Sequence, residues 1–142
     1  MADLRVHIAG VELSNPLIAA SGTFGFGHEY GELYSLSELG GISCKGITLK
    51  ERTGNPPPRI AETPSGMLNA VGLQNPGVDH FLKEDLPWLR QQGTVVIANI
   101  AGNTPEEYCA MAEKLSDSEV DMVELDISCP NVKQGRGRVD QS

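Results

Sequence analysis

No stretch of this sequence approaches the roughly 18 consecutive apolar residues of a membrane-spanning helix, and no membrane partner is expected. The opening MADLRVHIAG carries an acid at position 3 and lacks the apolar run of a secretory signal. Positive charge is scarce: 11 Lys and Arg against 19 Asp and Glu leave a net −8. That balance disfavours nucleic acid and anionic membrane surfaces. It does not disfavour small anions, which need only a local positive pocket. Cysteine is also sparse, with Cys44, Cys109 and Cys129 in three separate contexts and no C-x-x-C spacing. An odd count so placed argues against a disulfide framework and against a zinc site, so no metal is expected and a reducing cytoplasm is the natural location. No G-x-G-x-x-G joins a strand to a helix, which weighs against a dinucleotide-binding fold.

What is present suits one domain with a real core: 142 residues, 39% hydrophobic and 21% charged, with a mean hydropathy of −0.21. Leu4 to Leu13 alternates around Ala9-Gly10 and reads as a β-hairpin. Leu17–Ala20 is a short apolar strand running into Ser21-Gly22-Thr23, and Gly41–Ile47 is another. Between them Tyr30, Leu33, Leu36 and Leu39 recur at helical spacing, predicting a helix from Glu29 to Leu39 closed by Gly40-Gly41.

Residues 50–77 carry Gly54-Asn-Pro-Pro-Pro58, Pro64-Ser-Gly66 and Asn75-Pro-Gly77, which leave no room for a helix or a central strand. So long a loop is usually functional or disordered, and the apolar patch of Met67-Leu68 and Ala70–Leu73 disfavours disorder. Val78–Gln92 reads as a helix with Phe81, Leu82, Leu86 and Leu89 inward and a break allowed at Pro87. Thr94–Ala98 is a strand ending at Asn99. Thr104 caps a helix whose first position is Pro105 and whose first turn is acidic, and Met122–Ile127 is the last strand. Strands alternating with helices imply a parallel sheet, either an open doubly wound sheet or half of a (β/α)₈ barrel.

Each strand ends, at its C-terminal side, in a polar or reactive group: Ser21, Lys45, Asn99, then Asp126 and Cys129. In parallel α/β structures these ends share the face where ligand sites are built. Ser21 has a bland account as a turn cap, and Asn99 as a partner for backbone groups. Lys45 is harder to dismiss, because it sits in an otherwise apolar strand where an unpaired charge is costly; an anionic ligand or a carboxylate is needed beside it. Cys129 lies past a strand end, a position that suits a thiol acting as base or nucleophile. Cys44 and Cys109 read as inert packing. A cysteine hydrolase using Cys129 with His7, His28 or His80 is a remote alternative, since no histidine ends a strand.

Five stretches carry a resemblance: Asn15–Phe24, Cys44–Thr48, Pro57–Pro64, Met67–Pro76 and Ile127–Asn131. In this order and spacing they resemble dihydroorotate dehydrogenase, class 1, and most nearly its type B, NAD-linked catalytic subunit. The resemblance implies an α/β fold of the (β/α)₈ TIM barrel family, with residues 1–142 forming a single domain: about the first half of the barrel behind an N-terminal β-hairpin. It implies oxidation of dihydroorotate to orotate in pyrimidine (UMP) biosynthesis on FMN, with Cys129 as the base. By motif, Ser21, Lys45, Gly46, Asn99 and Asp126 resemble FMN contacts. Lys45, Asn69, Ala70, Val71, Gly72, Leu73 and Asp126 resemble orotate contacts.

A homodimer of catalytic subunits is implied, working beside a subunit that carries FAD and a [2Fe–2S] cluster. Two departures accompany the likeness. The family pattern has asparagine where this chain has Asp126, and an ionised carboxylate only accepts hydrogen bonds. After residue 135 the family continues through a further half barrel, whereas the tail 136–142 matches nothing in it. The expectation is that these 142 residues alone bind FMN poorly and do not turn over. A non-catalytic half barrel is the alternative to the enzyme.

Overall fold

The computed structural model describes residues 2–127. A hairpin opens the chain, β1 (Val6–Ile8) pairing antiparallel with β2 (Val11–Leu13) in the register Val6↔Leu13 to Ile8↔Val11. Its two-residue turn, Ala9 and Gly10, has φ of 49° and 85°. Two positive φ values in succession make the turn whose twist matches that of the flanking strands.

Four strands then build one parallel sheet: β3 (Ile18–Ala19), β4 (Gly41–Ser43), β7 (Val95–Ile100) and β8 (Met122–Leu125). Their spatial order follows the chain, β3-β4-β7-β8. A doubly wound sheet reverses its order at a switch point, and no reversal occurs among the described residues, so the winding is that of a barrel. The sheet has two unlike faces. Val96, Ala98 and Ile100 of β7, with Ile42 and Cys44, are buried under Phe81, Leu86, Leu89, Met111 and Leu115 of the covering helices. The opposite face carries Ser43 and Asn99, each donating a hydrogen bond to Glu124. The two-residue period of a strand makes this division. The N-terminal hairpin lies at the strand-start end, where Arg5, Glu12 and Ser14 share a cavity wall with Gly40, Val95 and Asp121.

The connecting helices depart from the sequence reading in two places. The helix expected over 29–39 is instead one turn, α2 (His28–Gly31), a turn, and a single 3₁₀ turn at Leu36–Glu38. Leu36 is buried, but Leu33 is 78% exposed. Gly31 is a poor helix residue, and the Trp88 ring packs 3.3 Å from where its Cβ would stand. From Val78 to Gln92 the chain is helical throughout, as expected, but not uniformly. It comprises α3 (Val78–His80), a π turn over Phe81–Asp85, α4 (Leu86–Leu89) and a 3₁₀ turn at Arg90–Gln92. The break allowed at Pro87 does not occur. Proline has no N–H and crowds the carbonyl four residues back, and the wider π turn just before it lets the helix continue.

The last helix, α5 (Pro105–Ser116), starts as its sequence predicts, with Thr104 Oγ1 accepting from Glu107 N at 3.3 Å. Cys109 on this helix is exposed, so it is not the packing residue expected. Before β4 comes α1 (Ser21–Phe24), a single turn after β3.

The 50–77 segment contains no central strand, but it does form a surface hairpin, β5 (Ile60–Thr63) with β6 (Gly66–Asn69). Met67 and Leu68 are 61% and 65% exposed, so the apolar patch read there does not pack; Leu73 is the residue that does. Polar clamps order the segment instead. Arg59 donates to Asn55 O (2.6 Å), to Thr53 O (2.9 Å) and to Gln74 Oε1. Buried Asn75 accepts from Thr48 N (3.0 Å) and Gly77 N (2.9 Å) and donates to Leu73 O (2.9 Å). This ties the end of the loop to the residues just past β4.

Two tests follow from this packing. A Cβ at Gly40 would stand 1.8 Å from the backbone oxygen of Asn15, whose side chain also bonds Gly40 N and Glu38 O. Gly40→Ala should lower stability by about 1–3 kcal/mol, read as a shift of the urea midpoint; an unchanged midpoint would contradict the contact. Burial, with Asp85 adding its negative charge, pushes the Cys44 thiol from 9.0 up to about 12. The folded state thus keeps this proton to higher pH than the unfolded chain, so its contribution is complete below about pH 9 and is lost as pH rises towards 12. The urea midpoint should fall on going from about pH 8 to about pH 10.5, and fall less in Cys44→Ala.

Candidate functional site

Register brings the strand ends together. Ala19 pairs with Ile42, Ser43 with Ile97, and Ile100 with Leu125, so the residues leaving β3, β4, β7 and β8 emerge at one level. There Ser21, Lys45, Gly46, Asn99 and Asp126 line one cavity of about 360 Å³. Its remaining wall comes from the end of β6, Asn69, and the loop after it, Val71, Gly72 and Leu73. Nine of the residues picked from the sequence therefore meet in one place. Gly22 lines the cavity too and was not picked. Ala70 was picked but does not line it. Its N–H donates to Arg59 O and its carbonyl accepts from Asn55 Nδ2, both at 2.8 Å, so it fastens the loop. Cys129 lies outside the described residues.

The backbone that carries these groups is held from several sides. Lys45 N donates to Gly25 O at 2.8 Å, which joins the end of β4 to the turn after α1. Asp126 N donates to Ile100 O at 2.8 Å, and Asp126 O accepts from Tyr108 Oη at 2.6 Å. On the loop side Gly72 and Leu73 both take positive φ, 77° and 55°. That is an uncommon conformation for leucine, and the Asn75 bond to Leu73 O holds it. It turns the Leu73 side chain over Gly46, where an added Cβ would meet Leu73 Cδ1 at 3.0 Å and Asn99 Oδ1 at 3.1 Å. Glycine at 46 thus lets Leu73 and the Asn99 amide approach the backbone more closely than a side chain there would allow.

Two polar groups of this cavity lack partners among the described residues. Lys45 is half-buried and, among the described residues, makes no ion pair or side-chain hydrogen bond. The sequence reading asked for an anionic ligand or a carboxylate beside it, and Asp126, on the same cavity, lies beyond ion-pair distance. Asn99 is 2% exposed. Its Nδ2 donates to Glu124 Oε1 at 2.8 Å, but its Oδ1 is buried without a partner. Leaving such an acceptor unmatched costs roughly 1–3 kcal/mol, and that cost is recovered by a ligand that donates to it. The sequence placed Asn99 just after its strand, whereas it lies within β7, one residue before the end. Glu124, which engages it, gave no signal beyond strand alternation.

None of the histidines lines the cavity. His7 pairs with Glu12 at 3.2 Å on the exposed hairpin, while His28 and His80 approach buried Asp85 at 3.1 and 3.3 Å among the covering helices. The cysteine-hydrolase alternative thus gains no histidine at the cavity. Among the described residues no group of three or more His, Cys, Asp or Glu could hold a metal ion, and no helix is long and apolar enough to cross a membrane.

Comparison with known proteins agrees with this geometry. A family model described as dihydroorotate dehydrogenase matches residues 3–142. The dihydroorotate dehydrogenase B (NAD(+)) catalytic subunit of Petrotoga mobilis is 58% identical over 135 residues, covering 95% of this chain and 45% of that protein. The subunit of the same name from Alkaliphilus metalliredigens is 59% identical over 133 residues, 94% of this chain and 44% of its own length. The chain thus spans a little under half the length of these relatives. Among solved structures, a DHODH from Eimeria tenella in complex with ferulenol superposes with a TM-score of 0.68 at 22% identity, over 92% of this chain and 38% of that one. The fold is accordingly about the first half of a (β/α)₈ barrel behind an N-terminal hairpin, and the chain belongs to the dihydroorotate dehydrogenase family.

Proposed function

We propose that the protein carrying this sequence oxidises dihydroorotate to orotate in pyrimidine (UMP) biosynthesis, using FMN held at the strand-end cavity. The observation that carries this reading is the cavity itself. It combines a cation and a buried amide oxygen that have no partner among the described residues with an apolar wall at Leu73. A flat heteroaromatic ring with N–H and carbonyl edges offers partners to these polar groups.

Ser21, Lys45, Gly46, Asn99 and Asp126 are the residues that hold FMN in this reading. FMN, when bound, accepts the hydride released from C6 of the substrate. The chain's own groups do the rest. Lys45 supplies the charge for the substrate carboxylate. Asn69 and the backbone of Val71-Gly72 offer hydrogen bonds to the ring amides, and Leu73 excludes water on one side. Cys129, two residues beyond the described chain, takes the C5 proton on its sulfur as thiolate. Asp126 stands where the family pattern has asparagine, and its ionised carboxylate can only accept hydrogen bonds.

Identity of 55–59% to type B catalytic subunits supports the NAD-linked form. In that form a homodimer of catalytic subunits passes electrons to a partner subunit bearing FAD and a [2Fe–2S] cluster, in the cytoplasm.

The reading is tested in a full-length dihydroorotate dehydrogenase carrying these residues, titrated with FMN while the visible flavin spectrum is followed, then with orotate. Saturable perturbation by both supports it, and a spectrum identical to that of free FMN at millimolar concentration counts against it. Lys45→Met should weaken orotate binding by roughly 10- to 100-fold, as loss of a charge-assisted hydrogen bond implies. An unchanged orotate titration would remove Lys45 from the substrate site. In a full-length dihydroorotate dehydrogenase carrying these residues, Cys129→Ser should slow flavin reduction by dihydroorotate by roughly 10²–10⁴-fold at neutral pH with FMN still bound. Stopped-flow bleaching at the unmodified rate would rule Cys129 out as the base.

A further inference from the structure

The inner face of the sheet contains a chain of three polar side chains that the proposed chemistry does not use. Ser43 Oγ on β4 donates to Glu124 Oε2 on β8 at 2.8 Å. Glu124 Oε1 accepts from Asn99 Nδ2 on β7, also at 2.8 Å. Each carboxylate oxygen is therefore committed to a different strand, one to adjacent β7 and the other to β4 beyond it. Asn99 presents the opposite end of its amide, Oδ1, towards Gly46, and that atom is buried with no partner.

An amide has a donor end and an acceptor end of nearly the same shape, and the surroundings decide which points where. Here the decision follows from charge and proton count. A carboxylate has no proton to give, so turning the Asn99 amide over would set two acceptor oxygens against each other at 2.8 Å. Ser43 holds the far oxygen and keeps the carboxylate from rotating away. The serine thus fixes the glutamate, and the glutamate fixes the amide.

We propose that Glu124, steadied by Ser43, is a positioning residue for the cofactor site: it locks the Asn99 amide so that Oδ1 faces the cavity as an acceptor for an N–H group of the bound ring. The inference rests on the reading that this cavity takes FMN. An oxidised flavin ring offers one such N–H among several acceptor atoms. A fixed acceptor therefore selects both the ring and the way round it sits. Without Glu124 the amide turns freely, and half of its orientations set a donor where the site needs an acceptor.

The test compares Glu124→Leu with Glu124→Gln in a full-length dihydroorotate dehydrogenase carrying these residues. Glutamine keeps an oxygen for Asn99 Nδ2 and can donate to Ser43, whereas leucine does neither. Two readouts are taken. The first needs no ligand: exchange of the Asn99 side-chain amide protons with solvent, followed by NMR on ¹⁵N-labelled protein. Exchange should be slow in the unmodified chain and in Glu124→Gln, and fast in Glu124→Leu. The second is FMN affinity by fluorescence titration. Glu124→Leu should weaken it about tenfold, the worth of one well-placed hydrogen bond, and Glu124→Gln should weaken it less than threefold or so. Ser43→Ala, a smaller change, should fall between the two on both readouts and serves if Glu124→Leu does not fold.

Equal proton exchange in Glu124→Leu and the unmodified chain would overturn the proposal. So would equal loss of FMN affinity in the leucine and glutamine variants, which would mean that charge, not the acceptor, matters. An unmodified chain that leaves FMN unperturbed would overturn the cofactor reading instead, and the exchange readout would then judge the Glu124–Asn99 link by itself.

Discussion

The parallel pairing of β4 with β7 is the contact from which the remaining geometry descends. Gly41↔Val95, Ile42↔Val96 and Ser43↔Ile97 set the level of the two central strands, with β3 and β8 then joining on either side. A shift of one residue would exchange the two faces of a strand. Val96, Ala98 and Ile100 would leave the apolar layer under the helices, and Asn99 would enter it. The cost of burying that amide and exposing those side chains is what holds the register. With the register held, Lys45, Gly46, Asn99 and Asp126 have to emerge together.

A second constraint works from outside the sheet. Residues 50–77 have almost no apolar anchor, so hydrophobic burial does not place them. Arg59 and Asn75 do so through hydrogen bonds to backbone groups, and Asn75 ties the loop to Thr48 just beyond β4. Because the clamp is polar and local, the loop keeps a positive-φ leucine against the cavity while its tip, β5 and β6, stays exposed. The cavity is thus assembled from two sources of unlike physics: strand ends fixed by core packing and a wall fixed by polar bonds.

Membership of the dihydroorotate dehydrogenase family gives these features a common sense. Barrel enzymes place chemistry at the strand C-terminal ends because the strands supply a rigid floor and the loops are free to vary. In this chain the floor includes an inward-facing hydrogen-bonded row, Ser43–Glu124–Asn99, that crosses three strands. Polar groups on the inner face match a site above them, while the outer face of the same strands is wholly apolar at Val96, Ala98 and Ile100.

Much of this was legible in the amino-acid sequence by itself: the hairpin about Ala9-Gly10, the order of strands and helices, the Thr104–Pro105 helix start, and all but one of the cavity residues assigned within 21–126. These are local signals. Strand alternation, capping chemistry and polar residues at strand ends each depend on neighbours a few positions away, and the family's motifs are contiguous stretches. The tertiary structure decided what depends on distant neighbours. It broke the Glu29–Leu39 helix into single turns, with the Trp88 ring set against Gly31. It carried the helix through Pro87 on a π turn, left Cys109 and Met67 in solvent, and withdrew Ala70 from the cavity to bind Arg59 and Asn55. It also singled out Glu124, which in sequence is only one carboxylate among many. Which face a strand residue shares, and whose amide it meets there, is settled by a sheet that brings Glu124 to partners 25 and 81 residues away along the chain.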